Sequence, residues 1–332
     1  MQVPSQIRTN HNDTGTPFRE VDASHLDSFD LKKEMDEYGY VLIRDLFPIE
    51  DTRSLLREIT EVLRIAGWLN ARGNPTDRVA NMAFACADDD SAYKDVYGKV
   101  FGLRSFHALP HDYRLRRIMT TLTGPELLVH PKSAARLVFP NFDRGIIHAH
   151  QDHTAVAGDA ESFTAWLPLH NCPLQQGPLR ILEGSHRFGM QPTVCQTGYI
   201  SPGTEQGTRW VGGGINAGDL LLFHSLTVHE ASPNLSDKLR ISMDFRFQSY
   251  TRVVNPEAFV FAGSGRRSWE NTYESWPFDD ELKYYWAHLP LKFKPSKSEL
   301  LELSRSHESS AIRERYTRIL ERIDTQIPVP AV

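Results

Sequence analysis

Cysteine is scarce in this chain and scattered. Cys86, Cys172 and Cys195 stand far apart, and no pair has CxxC spacing. An odd number at such separations excludes a disulfide framework and predicts a reducing compartment. Long apolar runs are missing as well. No stretch approaches the ~18 consecutive apolar residues of a membrane span. The first twenty residues are polar and lack the apolar core of a secretory leader. The final "PVPAV" matches no common address signal. These absences predict a cytoplasmic protein with no membrane partner. Excess positive charge is absent too: 37 Lys and Arg stand against 42 Asp and Glu, a formal net charge of −5. Without a long basic run, a general nucleic-acid-binding surface is excluded. The chain has no internal repeat and no low-complexity segment.

What is present suits a globular enzyme. The 332 residues are 40% hydrophobic and 24% charged, enough to bury a substantial core. Residues 1–27 read as a loose polar arm. Gly39 precedes a β-rich run, Tyr40 to Ile43. Pro48 suits a helix start. Leu55, Leu56, Ile59, Val62 and Leu63 then recur at helical spacing, predicting an amphipathic helix with one buried face. Residues 70–100 are mixed, and "ADDDSAYKD" reads as a solvated loop. From about 130 to 250 short apolar runs alternate with turn residues: "ARLVF", "GIIHAH", "FTAWLPL", "LRILEG", "RWVGGG", "DLLLF", "LTVHEA" and "RISMDFRFQ". About eight short strands predict an all-β sandwich or barrel, and an eight-stranded jelly roll fits that count. Residues 255–332 turn aromatic and then helical. The Trp- and Tyr-rich stretch 269–286 reads as packing surface before substrate cage. The expected architecture is a single domain over 1–332, mainly β with flanking helices, built on a double-stranded β-helix (jelly-roll) core.

The segment "HAHQDH", His148 to His153, crowds three imidazoles and a carboxylate into six residues. On a strand, His150 and Asp152 share one face, two-thirds of a facial metal site. Two histidines and one carboxylate with open positions suit non-haem Fe(II). The third ligand should come from another strand, and "GDLLLFHSLTVHEASPNLSDKLRISMDF" offers His224 and His229. Downstream, "RISMDFRF" alternates. Ile241, Met243, Phe245 and Phe247 take one face, and Arg240, Ser242 and Asp244 the other. A buried Arg240 requires an anion, and a dicarboxylate cosubstrate would supply one.

Together, "EYGYVLIRDLF", "HQD", "TAWLPL", "GPLRILEGSH", "GDLLLFHSLTVHEASPN" and "RIS" resemble the phytanoyl-CoA dioxygenase family of Fe(II)- and 2-oxoglutarate-dependent oxygenases, over about residues 34–248. The family pattern sets an Asn five residues and an Arg eleven residues after the distal His. Asn234 and Arg240 stand at those spacings from His229, which favours it over His224. The resemblance implies that His150, Asp152 and His229 hold iron, and that Arg240 pairs with the distal carboxylate of 2-oxoglutarate, with Ser242 adding a hydroxyl. It also implies cosubstrate contacts from Trp166, Thr164 and Arg136, and O2 as second cosubstrate. Glu183 replaces the commoner Pro before Gly-Ser-His, and Glu230 and Ala231 alter the rim beside the metal. The carboxylate at 152 disfavours halogenation.

The expected activity is hydroxylation of a small organic metabolite with release of succinate and CO2. Rival readings are an acyl-CoA or lipid hydroxylase of the same family, a binding protein with a vestigial site, and a zinc enzyme on the same ligands. No basic rim for CoA is evident, and the last two readings leave Arg240 without a task. His148, His153, His170, His186 and His224 read as loop, turn or packed strand residues.

Overall fold

The computed structural model describes residues 16–194, 198–263 and 267–326. The chain divides into two compact units. The first takes the residues up to Ala87, Arg136–Ala155 and Ala165–Ser242. The second takes Asp88–Ala135, Val156–Thr164 and the residues from Met243 onward. The strands that matter are β1 (Glu20–Asp22), β2 (Tyr40–Arg44), β3 (Leu127–Val129), β4 (Ala134–Val138), β5 (Ser162–Pro168), β6 (Leu179–Leu182), β7 (Trp210–Val211), β8 (Leu220–His224), β9 (His229–Ala231) and β10 (Arg240–Ser249). The chain of β4, β5 and β10 runs through both units.

In the first unit, β2 pairs antiparallel with β8, from Tyr40↔Phe223 to Ile43↔Leu220. β1 lies parallel to β2 on the other side. β8 neighbours β5, and β5 neighbours β10. A smaller antiparallel sheet runs β7–β6–β9. Tyr40, Leu42, Trp166, Leu221 and Phe223 of the larger sheet share one buried cluster with Leu179, Ile181, Val211 and Ala231 of the smaller. Each Leu, Ile, Val or Phe among them contributes roughly 1.5–3 kcal/mol by leaving water. This is the double-stranded β-helix the strand pattern predicts. Gly39, at φ 79°, is required where β2 begins: an added Cβ would lie 2.3 Å from His186 Nδ1 and 2.8 Å from Thr227 Oγ1. The helix after Pro48 spans Ile49–Ile65 and buries Leu55, Leu56, Ile59 and Leu63, while Glu50 and Glu61 on its outer face pair with Arg53 and Arg64.

The second unit is helical and aromatic. Its share of β10 pairs antiparallel with β3, from Phe247↔Val129 to Ser249↔Leu127. Helices span Ser91–Phe101, Arg104–Ala108 and Tyr113–Thr123. At the C-terminal end, Lys297–Ser306 begins with a Ser296–Glu299 capping box and is followed by Ser310–Gln326. Val260, Phe261, Leu300, Ile319 and Ile323 form their common core. Trp269, Tyr273, Trp276 and Trp286 are all buried, so the aromatic stretch is packing, as expected.

Three local expectations are corrected. The polar arm is not wholly loose: residues 1–15 lie outside the described set, but Glu20–Asp22 forms β1 and Ala23–Ser28 a 3-10 helix. "ADDDSAYKD" is not a loop throughout, since Ser91 starts a helix that buries Tyr93. "GIIHAH" is not a strand; Asp143–Gly145 is a 3-10 turn, and His150 makes isolated bridges to His229 and Tyr199. Cys86 and Cys172 are free and buried, and Cys195 lies outside the described residues. Among those residues, no helix is long and apolar enough to cross a membrane.

Candidate functional site

His150, Asp152 and His229 come together in the first unit. One donor atom from each lies within 4.8 Å of the other two, a grouping of metal-ligand type among the described residues. The reason differs from strand alternation. His150 bridges His229, with mutual backbone hydrogen bonds of 2.9 and 3.0 Å. The chain then turns, so that Asp152 sits just before the short helix His153–Val156. That turn is pinned by the His153 N–H donating to the Ser225 carbonyl at 3.1 Å. The Gln151 amide also donates to the Leu226 carbonyl at 2.7 Å and the Gly189 carbonyl at 2.8 Å.

The imidazoles are set for coordination. His150 Nδ1 lies 2.8 Å from the His148 carbonyl, and His229 Nδ1 lies 3.0 Å from the Thr227 carbonyl. A carbonyl can only accept, so each Nδ1 carries a proton, and in the neutral ring that leaves the lone pair on Nε2. Those Nε2 atoms stand 3.9 and 4.0 Å from Asp152 Oδ1. Burial, and then His229, push the His150 pKa down to about 3 against the opposing pull of Asp152. Two imidazoles and one carboxylate form a donor set that fits Fe(II).

β10 starts at Arg240, and Arg240 and Ser242 share a face. Both are buried. Arg240 Nη1 donates to the Gly177 carbonyl. Ser242 Oγ has no hydrogen-bond partner among the described residues, nor does the Nε1 of Trp166 on β5, which is also buried. Native interiors seldom leave such groups unsatisfied, and these two are among the residues expected to contact the cosubstrate. Arg240 also lines a cavity of about 150 Å³, together with Val138, Phe142, Ile146, Ala231 and Leu235. Arg136 lies on β4 in the first unit, and its charge helps depress the His150 pKa. Thr164 is buried on β5, two residues before Trp166.

Asn234 explains the spacing that singles out His229. Its Nδ2 donates to the Lys238 carbonyl at 2.8 Å, and its Oδ1 accepts from Ser236 N and Oγ. This closes the turn between β9 and β10. Gly177 packs against the start of the same turn: at φ 70°, an added Cβ would lie 2.2 Å from the Ser232 carbonyl oxygen. His224 ends β8 with Nδ1 accepting the Leu226 N–H at 3.1 Å, which is the packed strand role expected of it. His186 sits in the 3-10 turn Ser185–Phe188. Sequence reading missed Arg78 and the part played by His170. His170 Nε2 accepts the Ile241 N–H at 3.0 Å, one residue beyond Arg240. Arg78 Nη1 donates to the Leu239 carbonyl at 2.8 Å, one residue before it. No local pattern marks either, because both contacts cross long stretches of chain.

Residues 35–242 match the family model described as phytanoyl-CoA dioxygenase. The 1-deoxypentalenic acid 11-beta-hydroxylase of Streptomyces exfoliatus is 25% identical over 236 residues, 66% of this chain and 80% of that one. The phytanoyl-CoA dioxygenase domain-containing protein 1 of Bos taurus is 24% identical over 160 residues, 45% of this chain and 54% of that one. A crystal structure of the epimerase SnoN in complex with Fe3+, alpha ketoglutarate and nogalamycin RO aligns with a TM-score of 0.53 at 21% identity, covering 74% of this chain and 93% of that one. That likeness shows the shared fold.

Proposed function

Because the chain belongs to the phytanoyl-CoA dioxygenase family and is an Fe(II)- and 2-oxoglutarate-dependent dioxygenase, we propose that it hydroxylates a small organic metabolite, with His150, Asp152 and His229 as the iron ligands. The observation that carries this reading is the pair of fixed tautomers, which aim both Nε2 lone pairs at the side of Asp152. The Streptomyces relative, whose name describes hydroxylation of a small carboxylic acid, supports a small-molecule substrate.

Iron with 2-oxoglutarate and O2 supplies oxidation of a substrate C–H bond, the 2-oxo acid leaving as succinate and CO2. The protein contributes position, charge and dryness. The His148 and Thr227 carbonyls hold the two imidazoles in the coordinating tautomer before any metal arrives. Asp152 adds the one negative charge among the three ligands. Arg240 pairs with the distal carboxylate of 2-oxoglutarate, and the unsatisfied Ser242 Oγ and Trp166 Nε1 supply donors on the same unit. Its buried strand setting keeps water from competing for the guanidinium.

The test is a metabolite library presented to the anaerobic Fe(II) protein with 2-oxoglutarate, followed by O2 and measurement of succinate and hydroxylated product. His150→Ala, Asp152→Ala and His229→Ala are expected to lose bound iron and to cut turnover by at least roughly a hundredfold, whereas His224→Ala keeps its iron. Iron retained in His229→Ala and lost in His224→Ala would sink the assignment.

A further inference from the structure

Arg78 is only 6% exposed, and its backbone sits in the left-handed region at φ 61° and ψ 21°. A residue with a Cβ holds that conformation when its surroundings over-determine it. Here they do. The Arg78 carbonyl accepts the Leu239 N–H at 2.9 Å, and Val79 bridges Lys238. Nη1 donates to the Leu239 carbonyl at 2.8 Å and to Gln176 Oε1 at 3.2 Å. Both acceptors are neutral, and Nε has no acceptor among the described residues. A buried guanidinium held by neutral groups is costly unless an anion joins it. Burial lowers its pKa to about 10, with the Asp77 and Asp237 carboxylates pulling the other way.

Arg240 occupies the same neighbourhood. Arg78 binds the carbonyl of Leu239, which precedes Arg240. It also binds the side chain of Gln176, which precedes the Gly177 whose carbonyl Arg240 takes. His170 and Cys172 each feel the charge of both guanidiniums. Neither adds a counter-charge. His170 gives Nδ1–H to the Asn171 carbonyl and accepts Ile241 N–H at Nε2, so its ring is neutral. Burial pushes the Cys172 thiol up to about 11, so it stays protonated.

We propose that Arg78 is a specificity-determining positioning residue for the cosubstrate: with Arg240 it forms a two-cation locus that selects a 2-oxo dicarboxylic acid over a 2-oxo monocarboxylic acid. Arg240 touches the distal carboxylate. Arg78 fixes the Leu239–Arg240 backbone and the Gln176–Gly177 turn from which Arg240 is held, and adds a second positive charge in a place with little water. This rests on the reading of Arg240 given above.

The experiment is an anaerobic titration of the full-length Fe(II) protein with two acids, 2-oxoglutarate and 2-oxopentanoate, which carries a methyl group in place of the distal carboxylate. The visible charge-transfer band reports each Kd. Arg78→Gln is expected to raise the 2-oxoglutarate Kd roughly tenfold and leave the 2-oxopentanoate Kd unchanged within about twofold. Arg78→Lys, which keeps the charge, should recover part of the loss. A purely structural Arg78 predicts the opposite pattern, with both acids weakened alike and no rescue by Lys; that result overturns the inference. Arg240→Lys is the control on the premise. If it leaves 2-oxoglutarate binding intact, the reading of Arg240 fails. If it weakens binding while both Arg78 variants bind 2-oxoglutarate like the parent, the inference about Arg78 fails alone. Should Arg78→Gln not fold, Arg78→Lys decides: retained preference for the diacid supports the locus, and equal loss for both acids refutes it.

Discussion

The two units bury tryptophan in different ways. In the second, Trp269 Nε1 donates to the Phe259 carbonyl at 2.6 Å and Trp276 Nε1 to the Gly102 carbonyl at 2.8 Å. Tyr285 OH reaches the Val129 carbonyl, and His107 Nε2 the Phe101 carbonyl at 2.6 Å. Trp286 Nε1 is the exception among these tryptophans, enclosed by the rings of Phe259, Trp269, Tyr284 and Tyr285, and among the described residues His130 Nδ1 and Ser162 Oγ of the same unit are also unmet. In the first unit, Trp166 Nε1, Ser242 Oγ and Arg78 Nε all end without a partner among the described residues. An unmet buried donor costs stability. Where the chain's own carbonyls consume the polar ends, burial serves the fold. Where Ser242 and Trp166 leave them over, the cosubstrate role proposed above gives those donors a partner.

The strongest way to break this contrast is to remove Trp269. As a fully buried packing residue it should cost about 3–5 kcal/mol of unfolding free energy when cut to Ala, read by urea denaturation, while folded protein binds 2-oxoglutarate as before. A Trp269→Ala protein of parental stability with weakened cosubstrate binding would erase the distinction between the units.

Acid offers a second handle on the aromatic unit. Burial lowers the His107, His111 and His130 pKa values to about 4, against about 6.5 unfolded. The unfolded chain therefore binds more protons between pH 4 and 6.5. Stability from the neutral rings is complete above about pH 6.5 and falls as pH drops toward 4. Between pH 7.5 and 5.0, His107 alone should account for a loss on the order of 2 kcal/mol. His107→Phe should shrink the measured loss by that amount. A parental pH dependence in His107→Phe would show that this ring does not titrate as a buried neutral group.

The smallest expected effect sharpens the comparison most. Ser242→Ala removes a hydroxyl that the fold does not use, so the melting temperature should stay level or rise slightly. The 2-oxoglutarate Kd should rise roughly fivefold. A drop in melting temperature with unchanged Kd would place the Ser242 hydroxyl among the structural groups instead.

Much of the fold was legible because period-2 alternation survives in β10 and apolar runs mark β2 and β8. The helix after Pro48 was legible from its stripe. His150 and Asp152 were legible as a pair, although a turn brings them together and not a strand. His229 prevailed over His224 through the places of Asn234 and Arg240, and the hydrogen bonds of Asn234 show why that spacing is kept. Arg78 was not legible. It lies in a mixed-composition stretch, and its contacts with Gln176 and Leu239 reach 98 and 161 residues along the chain. The strand at Glu20–Asp22 was hidden for the same kind of reason: its partner, β2, supplies the pattern and it does not.

The turn closed by Asn234 has a metric consequence. His229 stands at one end of β9 and Arg240 at the start of β10, so both poles proposed for the cosubstrate hang from one stretch of backbone, clasped by Asn234 and wedged by Gly177. Such a stretch works as a caliper. Its jaws are set by the hydrogen bonds of the Asn234 side chain and by the missing side chain at 177, not by the residues that grip. On the proposed roles of His229 and Arg240, adding or deleting loop residues between the jaws is expected to resize the accepted diacid, while exchanging the gripping residues is expected to change how firmly they close.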